Sequence, residues 1–107
     1  MHTVQEILTA VCTQQTVEAF RAALIRQAEE HDDYAMRAHL ASAKRGAETQ
    51  RAACLRAYDH ARFGAVNDIV NDFACCIVAV NVAAKILGLS RTKVQAAMAL
   101  WDESRNT

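Results

Sequence analysis

The chain has no proline and only three glycines among its 107 residues. Proline and glycine are the residues on which tight turns and irregular loops most depend, so few such connections are available. The long valine and threonine alternations that are typical of strands are also missing. Alanine, glutamine, arginine, glutamate and leucine dominate instead, and all of them favour helices. The sequence therefore predicts one all-α domain over residues 1–107, a small bundle of four to five helices.

An excess of charge of either sign is absent, since 12 basic side chains balance 12 acidic ones. Without a global basic field, the protein can bind nucleic acid only through a local patch. The longest purely apolar run, Phe73 to Val80, is too short to span a bilayer. The N-terminal residues Met-His-Thr-Val-Gln-Glu are polar and do not resemble a signal peptide. We therefore expect a cytoplasmic protein with no membrane contact.

The four cysteines do not form a recognisable metal or disulfide pattern. There is no C-x-x-C pair and no cysteine/histidine spacing typical of zinc sites. Cys75 and Cys76 are adjacent, and a disulfide between neighbours is strained. They lie in an apolar run, without the nearby positive charge that a reactive thiolate needs. We interpret the cysteines as reduced, buried side chains and predict no cofactor.

An acidic cluster around His31 raises the possibility of a di-iron site on bundle helices. Such a site needs Glu-x-x-His on two helices, and this spacing does not occur. We therefore interpret residues 29–33 as a solvated helix junction and predict no metal site. Because no glycine-rich phosphate loop and no Ser/His/Asp or Cys/His set can be assembled, we also predict no catalytic residues and no enzyme activity.

Local signals predict where the first helices begin and end. Thr3 and Glu6 form a capping box, and Thr16 is a second N-cap candidate. The second helix is expected to end near residues 31–33, where the acidic cluster suits a new helix N-terminus. From Tyr34 an apolar stripe recurs at helical spacing up to Gly64, through Met36, Leu40, Ala43, Ala47, Cys54, Tyr58 and Ala61. Gly46 interrupts the stripe, so one helix or two over 34–63 are both open.

The next predicted helix runs from Val66 to Leu87 and is apolar on every side beyond Phe73. Such a helix is either central in its domain or buried against another subunit. A chain of this length can hardly surround it completely, which favours a homo-oligomer, with a dimer preferred. Gly88 is expected to end this helix, and Ser90 to cap the last one.

Residues 81–98, NVAAKILGLSRTKVQAAM, resemble the helix-turn-helix of Fis-like and LacI-like bacterial DNA-binding proteins. Ala84 matches the position where the two helices approach closely, and Gly88 matches the turn. The shared core of the motif would be formed by Leu87, Leu89 and Val94. The chain also resembles Fis in its layout, with long helices first and the helix-turn-helix-like segment, residues 81–103, last.

The resemblance implies a homodimeric DNA-binding regulator that contacts duplex DNA. The residues that it places in DNA contact are Lys85, Ser90, Arg91, Thr92, Lys93 and Gln95. Arginine can donate paired hydrogen bonds to a guanine edge, and glutamine can pair with adenine. Serine at a helix N-terminus favours a nearby phosphate.

A second hypothesis starts from the rest of the last helix. Fis-like recognition helices continue with several basic residues, whereas here QAAMALWDE follows from Gln95. The alternative is a non-enzymatic helical interaction module, such as an adaptor, inhibitor or mobile-element protein, that acts through an oligomer and an apolar helix face. Val94, Met98 and Trp101 would then dock the last helix onto the bundle or onto a protein partner.

A basic line at Lys44, Arg51 and Arg62 could contact phosphates as well. Glu48 and Asp59 lie at spacings suited to helix salt bridges with this line. We therefore predict a solvated, salt-bridged surface there.

Overall fold

The computed structural model describes residues 3–106, so Met1, His2 and Thr107 of the predicted domain lie outside the described part. Within that part the chain forms helices and no strand. The six helices are α1 (Val4–Val11), α2 (Val17–Arg37), α3 (Ala41–Arg62), α4 (Val66–Val70), α5 (Phe73–Leu87) and α6 (Arg91–Arg105). The predicted all-α bundle is confirmed, but the described residues form six helices instead of the expected four to five.

The predicted helix over 66–87 is divided into α4 and α5 at Asp72. This residue has extended backbone angles, φ −105° and ψ 110°, and is the N-cap of α5. Its carboxylate accepts a hydrogen bond from the Cys75 N–H at 3.2 Å and another from Arg56 Nε at 2.8 Å. An aspartate that caps a helix competes with continuation of the preceding one. The uninterrupted helix was therefore a wrong prediction.

The second helix was predicted to end near residues 31–33, and this prediction is wrong. The helix continues to Arg37. Asp33 accepts a hydrogen bond from Arg37 at 2.7 Å, one turn further along the same helix. Asp32 forms an ion pair with Arg51 of α3 at 3.7 Å. These partners offset the negative charge that suggested a helix start. The chain breaks instead at residues 38–40, so 34–63 is shared by two helices.

A side-chain cap begins α1 but not α2. The Thr3 hydroxyl accepts a hydrogen bond from the Glu6 N–H at 3.1 Å, as the predicted capping box requires. Thr16 precedes α2, but its side chain does not cap the helix. Its hydroxyl lies 3.2 and 2.8 Å from the carbonyl oxygens of Ala10 and Val11, where it closes the α1–α2 connection.

The centre of the bundle is α5, which packs against the five other helices. Its buried residues are Cys75, Cys76, Val78, Ala79, Val80, Val82, Ala83 and Ala84. Only one line along the helix faces outward, with Phe73, Asn81 and Lys85 exposed and Ile77 half-buried. The all-round apolar character of this segment is thus explained by packing within the chain. None of the helices within residues 3–106 combines the length and the hydropathy that crossing a membrane requires.

The longest feature is the antiparallel pair of α2 and α3. Near the core it buries large side chains, Phe20 and Leu24 among them. Toward the connecting turn only Ala35 and Ala47 are buried, and neither belongs to the main core cluster. The predicted apolar stripe is therefore wrong at its first positions, since Met36 is 77% and Leu40 70% exposed. The hairpin end extends past the core, so no helix covers these side chains.

Candidate nucleic-acid interface at the α5–α6 turn

The connection between α5 and α6 is made by three residues, 88–90. Gly88 has φ +67°, a left-handed conformation that favours glycine. The Leu89 N–H donates to the Ala84 carbonyl at 2.9 Å and closes the end of α5. The Ser90 hydroxyl then accepts a hydrogen bond from the Lys93 N–H at 3.3 Å. Both predicted caps are confirmed, and together they end one helix and begin the next within three residues.

Residues that the resemblance assigns to the shared core are withdrawn from solvent. Ala84 and Val94 are buried, and Leu87 and Leu89 are half-buried and packed against the main core. Ala97, one turn beyond Val94, is also buried. One face of α6 is thus packed inward from its second turn onward.

The far end of α6 is held by Trp101, which is 9% exposed. Its indole Nε1–H donates to the carbonyl of Val70 at 3.1 Å, and its ring stacks on Phe73 with centroids 5.7 Å apart. The guanidinium of Arg105 covers both rings, 4.6 Å from the Phe73 centroid and 4.8 Å from that of Trp101. These contacts tie the end of α6 to α4 and to the start of α5. They orient the beginning of α6 as well, because a helix is rigid over this length.

All six predicted DNA-contact residues are exposed, and five of them cluster at the start of α6. The first turn of α6 contains no acidic residue. Asp102 and Glu103 lie toward the other end of the helix, beyond the buried Ala97. The beginning of α6 is therefore a polar and cationic surface, whereas both acidic residues of the helix lie toward its end.

A neighbouring surface was not predicted from the sequence. Arg26 and Glu30 of α2 line a groove together with Lys85 of α5. The adjoining groove, between α2, α3 and α5, is lined by Gln27, His31, Gln50, Asn81 and Lys85, among others. No sequence signal marks Arg26, because the next turn of its helix is acidic. Arg26 is also far from Lys85 along the chain. Only packing of α2 against α5 places them together.

Between α5 and α6 lies a groove of about 560 Å³. Its apolar lining includes Phe73, Ile77 and Met98, and Phe73 is 52% exposed. Its polar lining includes Asn81, Arg91, Gln95 and Asp102. Two of the predicted contact residues, Arg91 and Gln95, thus border an apolar depression as well as open solvent.

Ion pairs distinguish the arginines within residues 3–106. The four paired ones are Arg21 with Glu18, Arg37 with Asp33, Arg51 with Asp32, and Arg56 with Asp72. The acids that pair with Arg51 and Arg56 lie outside α3, so neither Glu48 nor Asp59 supplies the pairing expected on that helix. In the described part of the chain, Arg26, Lys85, Arg91 and Lys93 have no carboxylate within 4 Å. Within residues 3–106, the cations Lys85, Arg91 and Lys93 around the α5–α6 turn are therefore not held in ion pairs.

The buried thiols are unsuited to nucleophilic chemistry. Burial raises the pKa of Cys75 and of Cys76 to about 12, and that of Cys54 to about 11. They are protonated at neutral pH, whereas the thiolate is the reactive form. Residues 3–106 contain no group of three or more histidine, cysteine, aspartate or glutamate side chains placed to hold a metal ion.

Comparisons with protein-family models, with curated proteins and with solved structures find no match to this chain.

Proposed function

We propose that the protein is a small DNA-binding regulator that presents the start of α6 to the major groove of duplex DNA. One observation carries the proposal: α6 is docked by its apolar face, through Val94 and Trp101, while its opening turns project polar side chains into solvent. A helix that enters a groove needs this division between a packed face and a contacting face.

The chemistry of each contact follows from the side chain. Arg91 can donate two parallel hydrogen bonds to O6 and N7 of guanine, and the Gln95 amide can pair with the edge of adenine. The Thr92 hydroxyl can bond a base or a phosphate, and Lys93 neutralises phosphate charge. Ser90, with the N–H groups of the first turn of α6, favours a phosphate at the helix N-terminus. Lys85, on the last turn of α5, adds a cation beside this contact region.

The proposal includes a homodimer. Large apolar side chains remain exposed at the end of the α2–α3 hairpin, with Tyr34 at 55% and Leu40 at 70%. Exposed apolar groups that lie together mark interaction surfaces. A two-fold dimer that binds successive half-sites would hold its two α6 helices roughly 34 Å apart, one turn of DNA.

Binding of purified protein to labelled duplex DNA tests the proposal. We expect affinity to fall steeply as salt rises from ~50 to ~200 mM, because phosphate contacts release counterions. Arg91→Ala and Lys93→Ala should each weaken binding several-fold without changing the circular dichroism spectrum. Arg45→Ala, an exposed arginine of α3, is the matched control and should bind as the wild type does. If the wild-type protein does not bind duplex DNA at low salt, the proposed function is wrong.

A second function, a helical protein-interaction module, is favoured by the groove between α5 and α6. Its volume of about 560 Å³ and its exposed Phe73 suit an apolar helix of a protein partner. An adaptor, inhibitor or mobile-element protein could use such a surface. Under this function Met98→Glu would abolish complex formation with that partner, whereas Arg91→Ala would not. The wild-type protein would not bind duplex DNA at low salt.

A further inference from the structure

We infer that α2 forms a second part of the DNA-contacting surface, in which Arg26 binds the phosphate backbone beside the segment contacted by α6. This inference rests on the proposed DNA-binding function and extends it to a helix that the helix-turn-helix segment does not contain. The ligand chemistry is the sugar–phosphate backbone of duplex DNA, without regard to base sequence.

The placement of Arg26 supports this inference. Arg26 is exposed on α2 and lines, with Lys85, a groove of about 320 Å³ between α2 and α5. Lys85 also lines the adjoining groove with Asn81, and Asn81 lines the α5–α6 groove with Arg91. Because neighbouring grooves share these residues, the surface is continuous from Arg26 on α2 to Arg91 on α6.

The lack of an ion pair at Arg26 also supports it. Of the three arginines in α2, Arg21 pairs with Glu18 at 3.8 Å and Arg37 with Asp33 at 2.7 Å. Arg26 has no such partner among residues 3–106. A guanidinium that is not held in an ion pair is available to bind a phosphate through two N–H groups.

Polar and charged groups line the surface between Arg26 and Arg91. Glu30 is the acidic residue in the groove of Arg26, where Arg26 and Lys85 outnumber it. Gln27 and His31 continue the surface on α2, with the Gln27 Nε2 and His31 Nε2 atoms 3.3 Å apart. Amide and imidazole N–H groups can donate hydrogen bonds to phosphate oxygens. Asp102 is the acidic residue in the groove of Arg91. With Arg26, Lys85 and Arg91 against Glu30 and Asp102, the surface has a small excess of positive charge and is rich in hydrogen-bond donors.

Salt-dependent binding of Arg26→Gln to duplex DNA tests the inference. Loss of one phosphate contact should reduce the slope of log K against log salt by about 0.9. If the two proteins bind equally at ~1 M salt, that change in slope makes the variant bind roughly eightfold more weakly at ~0.1 M salt. The loss should be equal on duplexes of different sequence, whereas Arg91→Ala should weaken binding more on some sequences than on others.

Three further variants complete the experiment. Arg26→Lys should restore most of the slope, and Arg26→Glu should weaken binding more than Arg26→Gln does. Arg45→Gln, an exposed arginine of α3, should leave the slope unchanged. If Arg91→Ala weakens binding while Arg26→Gln and Arg26→Glu both bind as the wild type does, the inference is overturned and the proposed function stands. If the wild type does not bind DNA, both fall.

Discussion

Gly46 and Gly88 show how one residue type has opposite effects at two positions. Gly46 lies inside α3 and is exposed, and a Cβ added there would meet no atom within 4 Å. Gly88 also has open space around an added Cβ, but its φ is +67°. Since an added Cβ would have open space at both glycines, only the backbone conformation distinguishes the two sites. Gly46 gives the unfolded chain extra freedom, whereas Gly88 permits the left-handed end of α5.

Alanine substitutions at these glycines should therefore have opposite signs. We expect Gly46→Ala to raise the free energy of unfolding by about 0.5–1 kcal/mol. Gly88→Ala should lower it by about 1–2 kcal/mol, because an L side chain in the left-handed region is strained. Urea unfolding followed by circular dichroism measures both. Equal signs for the two variants would contradict this account of the α5–α6 turn.

At the scale of the helices, the close contact between α3 and α5 depends on small side chains. Ala53 and Ala57 of α3 are completely buried. The Cys75 thiol of α5 lies 3.5 Å from the Ala53 carbonyl oxygen, as a donor to it. Ala52, the neighbour of Ala53, is exposed. Larger side chains at the buried positions would force the central helix away from α3 and disturb the docking of α6 onto it.

Leucine substitutions on α3 test this packing. Ala53→Leu should lower the free energy of unfolding by about 1–3 kcal/mol, since it overpacks a full interior. Ala52→Leu adds the same atoms to the adjacent exposed position and should change stability by no more than about 0.5 kcal/mol. Thermal and urea unfolding of the two variants provide the comparison. An Ala53→Leu protein as stable as Ala52→Leu would show that the α3–α5 contact is looser than described.

At the scale of the whole molecule, the exposed apolar side chains at the end of the α2–α3 hairpin lie outside the hydrophobic core. The core cluster includes residues from all six described helices, but it does not include the end of the α2–α3 hairpin. Tyr34 and Leu40 are exposed there, while the proposed DNA-contact residues surround the α5–α6 turn. A second copy that covered the hairpin end would therefore leave α6 accessible to DNA.

Light scattering on the purified protein tests this arrangement. We expect a dimer for the wild type and a shift toward monomer for Leu40→Lys, because a buried lysine at an apolar interface is costly. Leu100→Lys changes a leucine of α6 that is 53% exposed and should leave the dimer intact. A wild type that is strictly monomeric at high concentration would exclude the dimer. Dissociation by Leu100→Lys alone would place the interface on α6 instead.

Much of the candidate site could be predicted because its structure depends on neighbours in sequence. The conformation of Gly88 and the cap at Ser90 involve partners within four or five residues. The apolar spacing of Val94 and Trp101 predicted the buried face of α6 for the same reason. The position of Arg26 beside Lys85 could not be predicted, because the two residues belong to distant parts of the chain.

Sequence alone determined the all-α class, the cap of α1, the α5–α6 turn and the polar start of α6, since these follow from helix propensity and local hydrogen bonds. Tertiary structure decided the rest. Arg56 of α3 supports the Asp72 cap that divides α4 from α5, and Arg51 of α3 pairs with an acid inside α2. The exposure of Leu40 likewise depends on where the core ends. These outcomes result from contacts between distant segments, which no local pattern encodes.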